Sequence, residues 1–157
     1  MDKTINVTVA GLGGQGVLKV TDIFAEVMFR AGFDVKKSEV HGMSQRGGSV
    51  SSEVRFGKNV ASPMVPEGES DFLVILEPTQ LENNIHKLRE GGVLITPESV
   101  PMDKLAHPKA LNTLMLGALA AHFDRPDAEW LEVLKDNLPE KVHELNEAMF
   151  HLGKDSQ

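Results

Sequence analysis

The stretch Gly11-Leu12-Gly13-Gly14-Gln15-Gly16 constrains this chain more than any other. It follows the run Ile5 to Ala10 and passes directly into a helical pattern that begins at Val17. Ile5-Asn6-Val7-Thr8-Val9 alternates β-branched apolar residues with small polar ones, the pattern of a strand. Four glycines in six positions let the backbone reverse sharply and leave the first amides of the next helix uncovered by side chains. The spacing fits Gly-x-Gly-x-x-Gly at a strand-turn-helix junction, the setting of a dinucleotide-binding turn. That fingerprint also needs an acid at the end of the second strand to hold a ribose hydroxyl. Asp34 opens the expected second strand and Glu39 stands just before a polar loop, so neither fits cleanly. Two readings stay open: an anion or nucleotide on the turn, and tight strand-helix packing with no ligand.

Beyond the turn, Val17, Val20, Phe24, Val27 and Ala31 recur at helical spacing with Ile23 and Met28 beside them, and Gly32 stops the helix. Phe33 to Val40 is the second strand, making a right-handed βαβ unit with parallel strands. His41 to Gly48 is a polar loop with three glycines. Ser49 to Phe56 alternates, with Val50, Val54 and Phe56 on the buried side. After the turn Gly57-Lys58-Asn59, a short piece around Val60 is a candidate hairpin strand, and Pro63 and Pro66 make 61–70 a connecting loop. Asp71 to Leu76 is nearly all apolar, as in a central parallel strand covered on both faces.

The spacing then predicts a helix opened by Pro78, carrying Leu81, Ile85 and Leu88 and stopped by Gly91-Gly92, followed by a buried strand from Val93 to Thr96. Pro97 to Lys109 has no regular period. Three helical stripes follow: Leu111, Leu114, Met115, Ala118, Leu119 and His122; Trp130, Leu131, Leu134 and Leu138, capped near Asp127; and Val142, Leu145, Met149 and Leu152, with Pro139 at the first position and Gly153 past the end. The expected architecture is α/β, a mostly parallel twisted sheet of Rossmann-like type with flanking helices and a helical C-terminal layer. One domain is expected over residues 1–153, with a short polar tail at 154–157.

A net charge of -7 argues against nucleic acid or anionic membrane as the main partner. The absence of cysteine excludes disulfides, a thiol nucleophile and a thiolate-ligated iron–sulfur cluster on this chain. There is no apolar run of about 18 residues and no basic-then-apolar leader pattern, so the expected compartment is the cytoplasm.

Ligands in open α/β sheets gather beyond the carboxyl ends of the parallel strands, and both glycine-rich loops are expected on that rim. Arg46 offers a charged planar fork for phosphate or carboxylate, and Ser44 and Gln45 add neutral donors; a plain structural turn with an exposed arginine is the alternative. Glu39, His41 and Ser44 contain the residue types of a hydrolytic triad, but no Gly-x-Ser-x-Gly elbow follows a strand. His86, His107, His122, His143 and His151 show no paired metal-ligand spacing.

Three segments in this order, Gly11-Leu12-Gly13-Gly14-Gln15-Gly16-Val17, Ser38-Glu39-Val40-His41-Gly42-Met43-Ser44-Gln45-Arg46-Gly47-Gly48-Ser49-Val50 and Asn112-Thr113-Leu114-Met115-Leu116-Gly117-Ala118, carry a resemblance. The chain resembles the gamma subunit or domain of the 2-oxoacid:ferredoxin oxidoreductases, most of all the small subunit of the indolepyruvate type. The segment from Leu138 to Gly153 is similar to that family's ending. The resemblance implies an accessory chain in a complex that decarboxylates an aryl pyruvate on thiamine diphosphate, reduces ferredoxin through iron–sulfur clusters and forms an acyl-coenzyme A. Thiamine and clusters are expected on a partner subunit, in keeping with the lack of cysteine here.

Carried over by position, the expected interface and coenzyme A residues are Gly11, Gly13, Gly14, Gln15 and Gly16 in the first loop and Ser44, Gln45, Arg46, Gly47 and Gly48 in the second. Arg46 is the expected phosphate contact, and no residue here is expected to break bonds. Apart from its partner, the domain is expected to expose an apolar surface and to pair with a second copy. Relatives are expected to carry a longer segment where this chain has only Pro97 to Leu111. Two other readings remain, a stand-alone nicotinamide-dependent dehydrogenase and an interaction protein that has kept the fold alone.

Overall fold

A computed structural model of the chain describes residues 3–41 and 48–157. The strands are β1 (Ile5–Leu12), β2 (Asp34–His41), β3 (Ser49–Gly57), β4 (Ser70–Ile75) and β5 (Leu88–Ile95). The helices are α1 (Val17–Arg30), α2 (Leu81–Asn84), α3 (Leu111–Ala120), α4 (Asp127–Asp136) and α5 (His143–Asp155). They form one five-stranded sheet in the order β2-β3-β1-β4-β5. β1 pairs parallel with β4 and β4 parallel with β5, whereas β3 lies antiparallel between β1 and β2. β1, β2, β4 and β5 therefore run one way, and β3 runs against them.

The expected parallel relation of β1 and β2 is present, but the two are not neighbours. β3 sits between them: Val54 stands opposite Val7 and Phe56 opposite Ile5, with Val35 on the far side of Phe56. Val7, Val9, Val54, Phe56, Val74 and Ile95 then present one apolar sheet face to α1, α3, α4 and α5. Phe24 anchors that layer, edge-on to Phe56 at 5.6 Å and to Phe123 at 5.1 Å, with Trp130 at 5.8 Å. The opposite sheet face is thinner, with Ala10, Leu73 and Ile75 covered by Leu81 and Leu88.

On that thin face Asp71 is buried but fully engaged. It accepts from the Asn6 amide at 2.8 Å and from Arg89 Nε at 2.6 Å, so burial of the carboxylate is compensated.

Several boundaries differ from the sequence expectation. The helix after Pro78 breaks into short turns, Pro78–Gln80, Leu81–Asn84 and Ile85–Lys87, and Leu88 already opens β5. Gly91 and Gly92 do not stop a helix. Between the pairs Ser70–Leu88 and Phe72–Val93 the register shifts, and the two glycines lie in that irregularity. Gly91 has φ +78, and a β-carbon at Gly92 would lie 2.6 Å from Leu88 Cδ1. No strand forms at Val60; its amide instead donates to Asp34 Oδ2 at 2.7 Å.

At the C-terminus Pro126 rather than Asp127 precedes α4, and Pro139 precedes a 3-10 turn, Glu140–Val142, ahead of α5. α5 continues through Gly153 to Asp155, so the expected tail begins as helix. Lys154 pairs with Asp127, and Gln157 Nε2 donates to Ser99 O at 3.0 Å. The irregular stretch from Pro97 holds three 3-10 turns, Pro97–Ser99, Met102–Lys104 and Pro108–Ala110.

Candidate functional site

β1 ends at Leu12, and the chain turns through Gly13 to Gly16 into α1. Gly14 and Gly16 have φ +90 and +84, in the left-handed region that glycine reaches without strain. Gly16 has a second constraint, because a β-carbon there would lie 2.4 Å from Asn112 Nδ2 at the start of α3. At Gly11 it would lie 2.8 Å from Gln15 Oε1 and 2.9 Å from Val17 Cγ2. Gly11 and Gly16 thus hold strand, turn and two helices in close packing, whereas the space beside Gly14 is open.

Gln15 is occupied within the turn. Its Oε1 accepts from the Leu12 amide at 2.8 Å and its Nε2 donates to Glu77 Oε1 at 3.1 Å. The side chain braces the end of β1 against the segment that follows β4. The start of α1 is different: Gly16 caps it without a side chain, and the first turn has no acid. Its first amides and the positive end of its dipole therefore remain open to an anion.

Because β1 and β2 run the same way, the loops after Leu12 and His41 leave one rim of the sheet. The Gly13 amide donates to Gly48 O at 2.8 Å, which ties the far end of the second loop to the glycine turn. Gly11, Gly13, Gly14, Gln15, Gly16 and Gly48 are thereby brought together. Ser44, Gln45, Arg46 and Gly47 lie outside the described residues. Glu39 and His41 stand 3.7 Å apart as exposed groups. No group of three or more His, Asp or Glu side chains suited to a metal occurs among the described residues.

One feature of the site carried no local signal. A cleft of about 950 Å³ opens beside Gly14 and Gly16, walled by the 3-10 turns before α3 and by the segment from Leu138 to Asn146. Its walls come from three stretches far apart in the chain. Each leucine in them looks, by spacing alone, like one more core residue.

Among the described residues, the ionisable groups of Asp34 and Arg30 are shifted. The Val60 amide, and then Lys36, hold the Asp34 carboxyl below the ordinary carboxylate range. Arg30 is raised by hydrogen bonds to Glu26 and Asp136, which fix its charge at the end of α1.

Residues 6–156 match the pyruvate ferredoxin/flavodoxin oxidoreductase family. This chain belongs to that family. Similar members include indolepyruvate oxidoreductase subunit IorB of Thermococcus kodakarensis, 30% identical over 191 aligned positions that cover 96% of this chain and 95% of that protein. IorB of Pyrococcus horikoshii is 39% identical over 112 positions, covering 68% of this chain and 55% of that one. The first alignment is longer than the 157 residues here, so that family member carries residues with no counterpart in this chain.

The fold is shared with a keto/oxoacid ferredoxin oxidoreductase gamma subunit from Geobacter sulfurreducens, at TM-score 0.81 and 23% identity over 97% of both chains. It is also shared with part of the 2-oxoglutarate:ferredoxin oxidoreductase of Magnetococcus marinus, solved with 2-oxoglutarate, coenzyme A and succinyl-CoA bound. There the TM-score is 0.83 at 22% identity, over 99% of this chain and 31% of that one. No described helix is long and apolar enough to cross a membrane.

Proposed function

We propose that this chain is the accessory subunit of an indolepyruvate-type 2-oxoacid:ferredoxin oxidoreductase. In that role it docks beside a thiamine- and iron–sulfur-bearing subunit and helps hold coenzyme A. The observation that carries the reading is the near full-length match to IorB on a fold shared with gamma subunits. The chemistry of the donors agrees with the division of labour. No cysteine is present to ligate a cluster, so electron transfer to ferredoxin belongs to the partner. What the turn does offer is a helix start without side-chain cap or acid, which fits phosphate.

When bound, coenzyme A supplies the thiol that accepts the acyl group. This chain's part is to bind and position. Gly14 and Gly16 keep side chains away from the first amides of α1, and Gln15 holds the turn in place through Leu12 and Glu77. Arg46 contributes the charged fork toward a phosphate. The partner surface lies along the β2 edge, where Val40 and Met64 are apolar and 63% and 65% exposed. Separated from its partner, the chain pairs with a second copy through that patch.

Affinity purification from its own cells without oxygen tests the whole reading. The eluate should carry thiamine diphosphate, iron–sulfur absorbance and ferredoxin reduction driven by indolepyruvate plus coenzyme A. A chain that elutes alone and colourless overturns the subunit role.

A further inference from the structure

We propose that the cleft between the glycine turn and the C-terminal helices is a binding site for a small amphiphilic carboxylate, an apolar body carrying a single acid group. This goes beyond the coenzyme and partner roles above and does not depend on them. At about 950 Å³ the cleft is within the range of small-molecule pockets. Its walls are apolar, built from half-buried side chains such as Leu105, Leu111, Leu138 and Leu145. An apolar occupant would remove those surfaces from water.

The charge around the cleft is one-sided. Lys19 and Lys109 line it, and its described lining contains no aspartate or glutamate, in a chain where acids outnumber lysine and arginine by 23 to 16. Lys19 is fixed beside the apolar wall by its hydrogen bond to Asn137 O at 3.2 Å. Point charges of the lysine type beside a large apolar wall suit one carboxylate on an apolar body.

Titration of the isotopically labelled chain with phenylacetate, followed by amide NMR, tests this. Saturable shifts should gather at Lys19 and residues 105–112 and 142–146, with a dissociation constant of about 1 mM or tighter. The neutral analogue phenylacetamide should bind about ten-fold more weakly, and Lys109→Gln, on an exposed side chain, should weaken phenylacetate about three-fold or more. Leu145→Trp should fill the cleft and abolish the shifts while the rest of the spectrum stays native. Coenzyme A added in excess should leave the phenylacetate shifts in place. Scattered or absent shifts, equal binding of acid and amide, or displacement by coenzyme A would each overturn the proposal, and displacement would reassign the cleft to the coenzyme.

Discussion

Gly117 in α3 lies directly against the main chain of Phe150 in α5. A β-carbon at Gly117 would fall 2.1 Å from the Phe150 carbonyl oxygen, and one at Gly153 would fall 2.0 Å from Leu114 O. Each helix presents a glycine to the other's backbone, which lets the two axes approach more closely than side chains permit. The obstructing atoms are carbonyls in regular helix and cannot rotate away. Phe150 also packs on Trp130 at 6.2 Å between ring centres, so spreading the helices disturbs the aromatic layer as well.

Gly117→Ala should therefore destabilise the chain by about 3 kcal/mol or more, the upper end for overpacking. Gly14→Ala supplies the contrast, because its β-carbon meets open space and only the positive φ opposes it. That variant should lose about 1–2 kcal/mol. Urea unfolding of both variants at one temperature gives the comparison. Equal losses would mean that the α3–α5 approach yields more readily than the packing implies.

Gln15 and Glu77 allow a sharper test. Gln15→Glu keeps an acceptor for the Leu12 amide but replaces the donor to Glu77 with a second carboxylate. The variant should lose about 1–2 kcal/mol at neutral pH. Adding Glu77→Gln should restore stability, since the new amide can donate to the introduced acid. Chemical denaturation of the single and double variants at neutral pH gives the coupling. An additive double variant would show that the two side chains do not interact.

Asp34 makes part of the acid sensitivity predictable in sign. Its folded value is depressed, chiefly by the Val60 amide and next by Lys36. The contribution is then fully present above the ordinary carboxylate value of about 3.9 and is lost as pH falls below it through the folded value. Asp34→Asn should leave that part of the pH–stability curve flatter while the Val60 contact keeps an acceptor. Denaturation midpoints followed downward from about pH 5 report the difference.

Much of the fold was legible locally because burial writes itself into spacing. The stripe from Val17 to Val27 and the run Phe72 to Leu76 required one helix and one central strand. What stayed hidden depended on partners distant in sequence. A glycine that ends a helix, one that sits in a bulge and one that admits a neighbouring backbone have the same side chain, so Gly92, Gly117 and Gly153 could be sorted only once Leu88, Phe150 and Leu114 were in place. β3 entered between β1 and β2 through a register that no local pattern encodes. At the site, the glycine turn was plain, while the inward bracing by Gln15 needed Glu77, some sixty residues further along the chain.

Arg46 bears most directly on the coenzyme role. In the reconstituted complex, Arg46→Ala should raise the KM for coenzyme A about ten-fold or more, the loss of one charge-assisted phosphate contact. Arg46→Lys should recover only part of it, since an ammonium keeps the charge without the two-pronged geometry. If Arg46 only binds the coenzyme, kcat at saturating coenzyme A and the KM for indolepyruvate should hold near the parent values. A fall in kcat with both KM values unchanged would place Arg46 in the subunit interface rather than on the phosphate. Steady-state ferredoxin reduction with each substrate varied in turn separates the two roles.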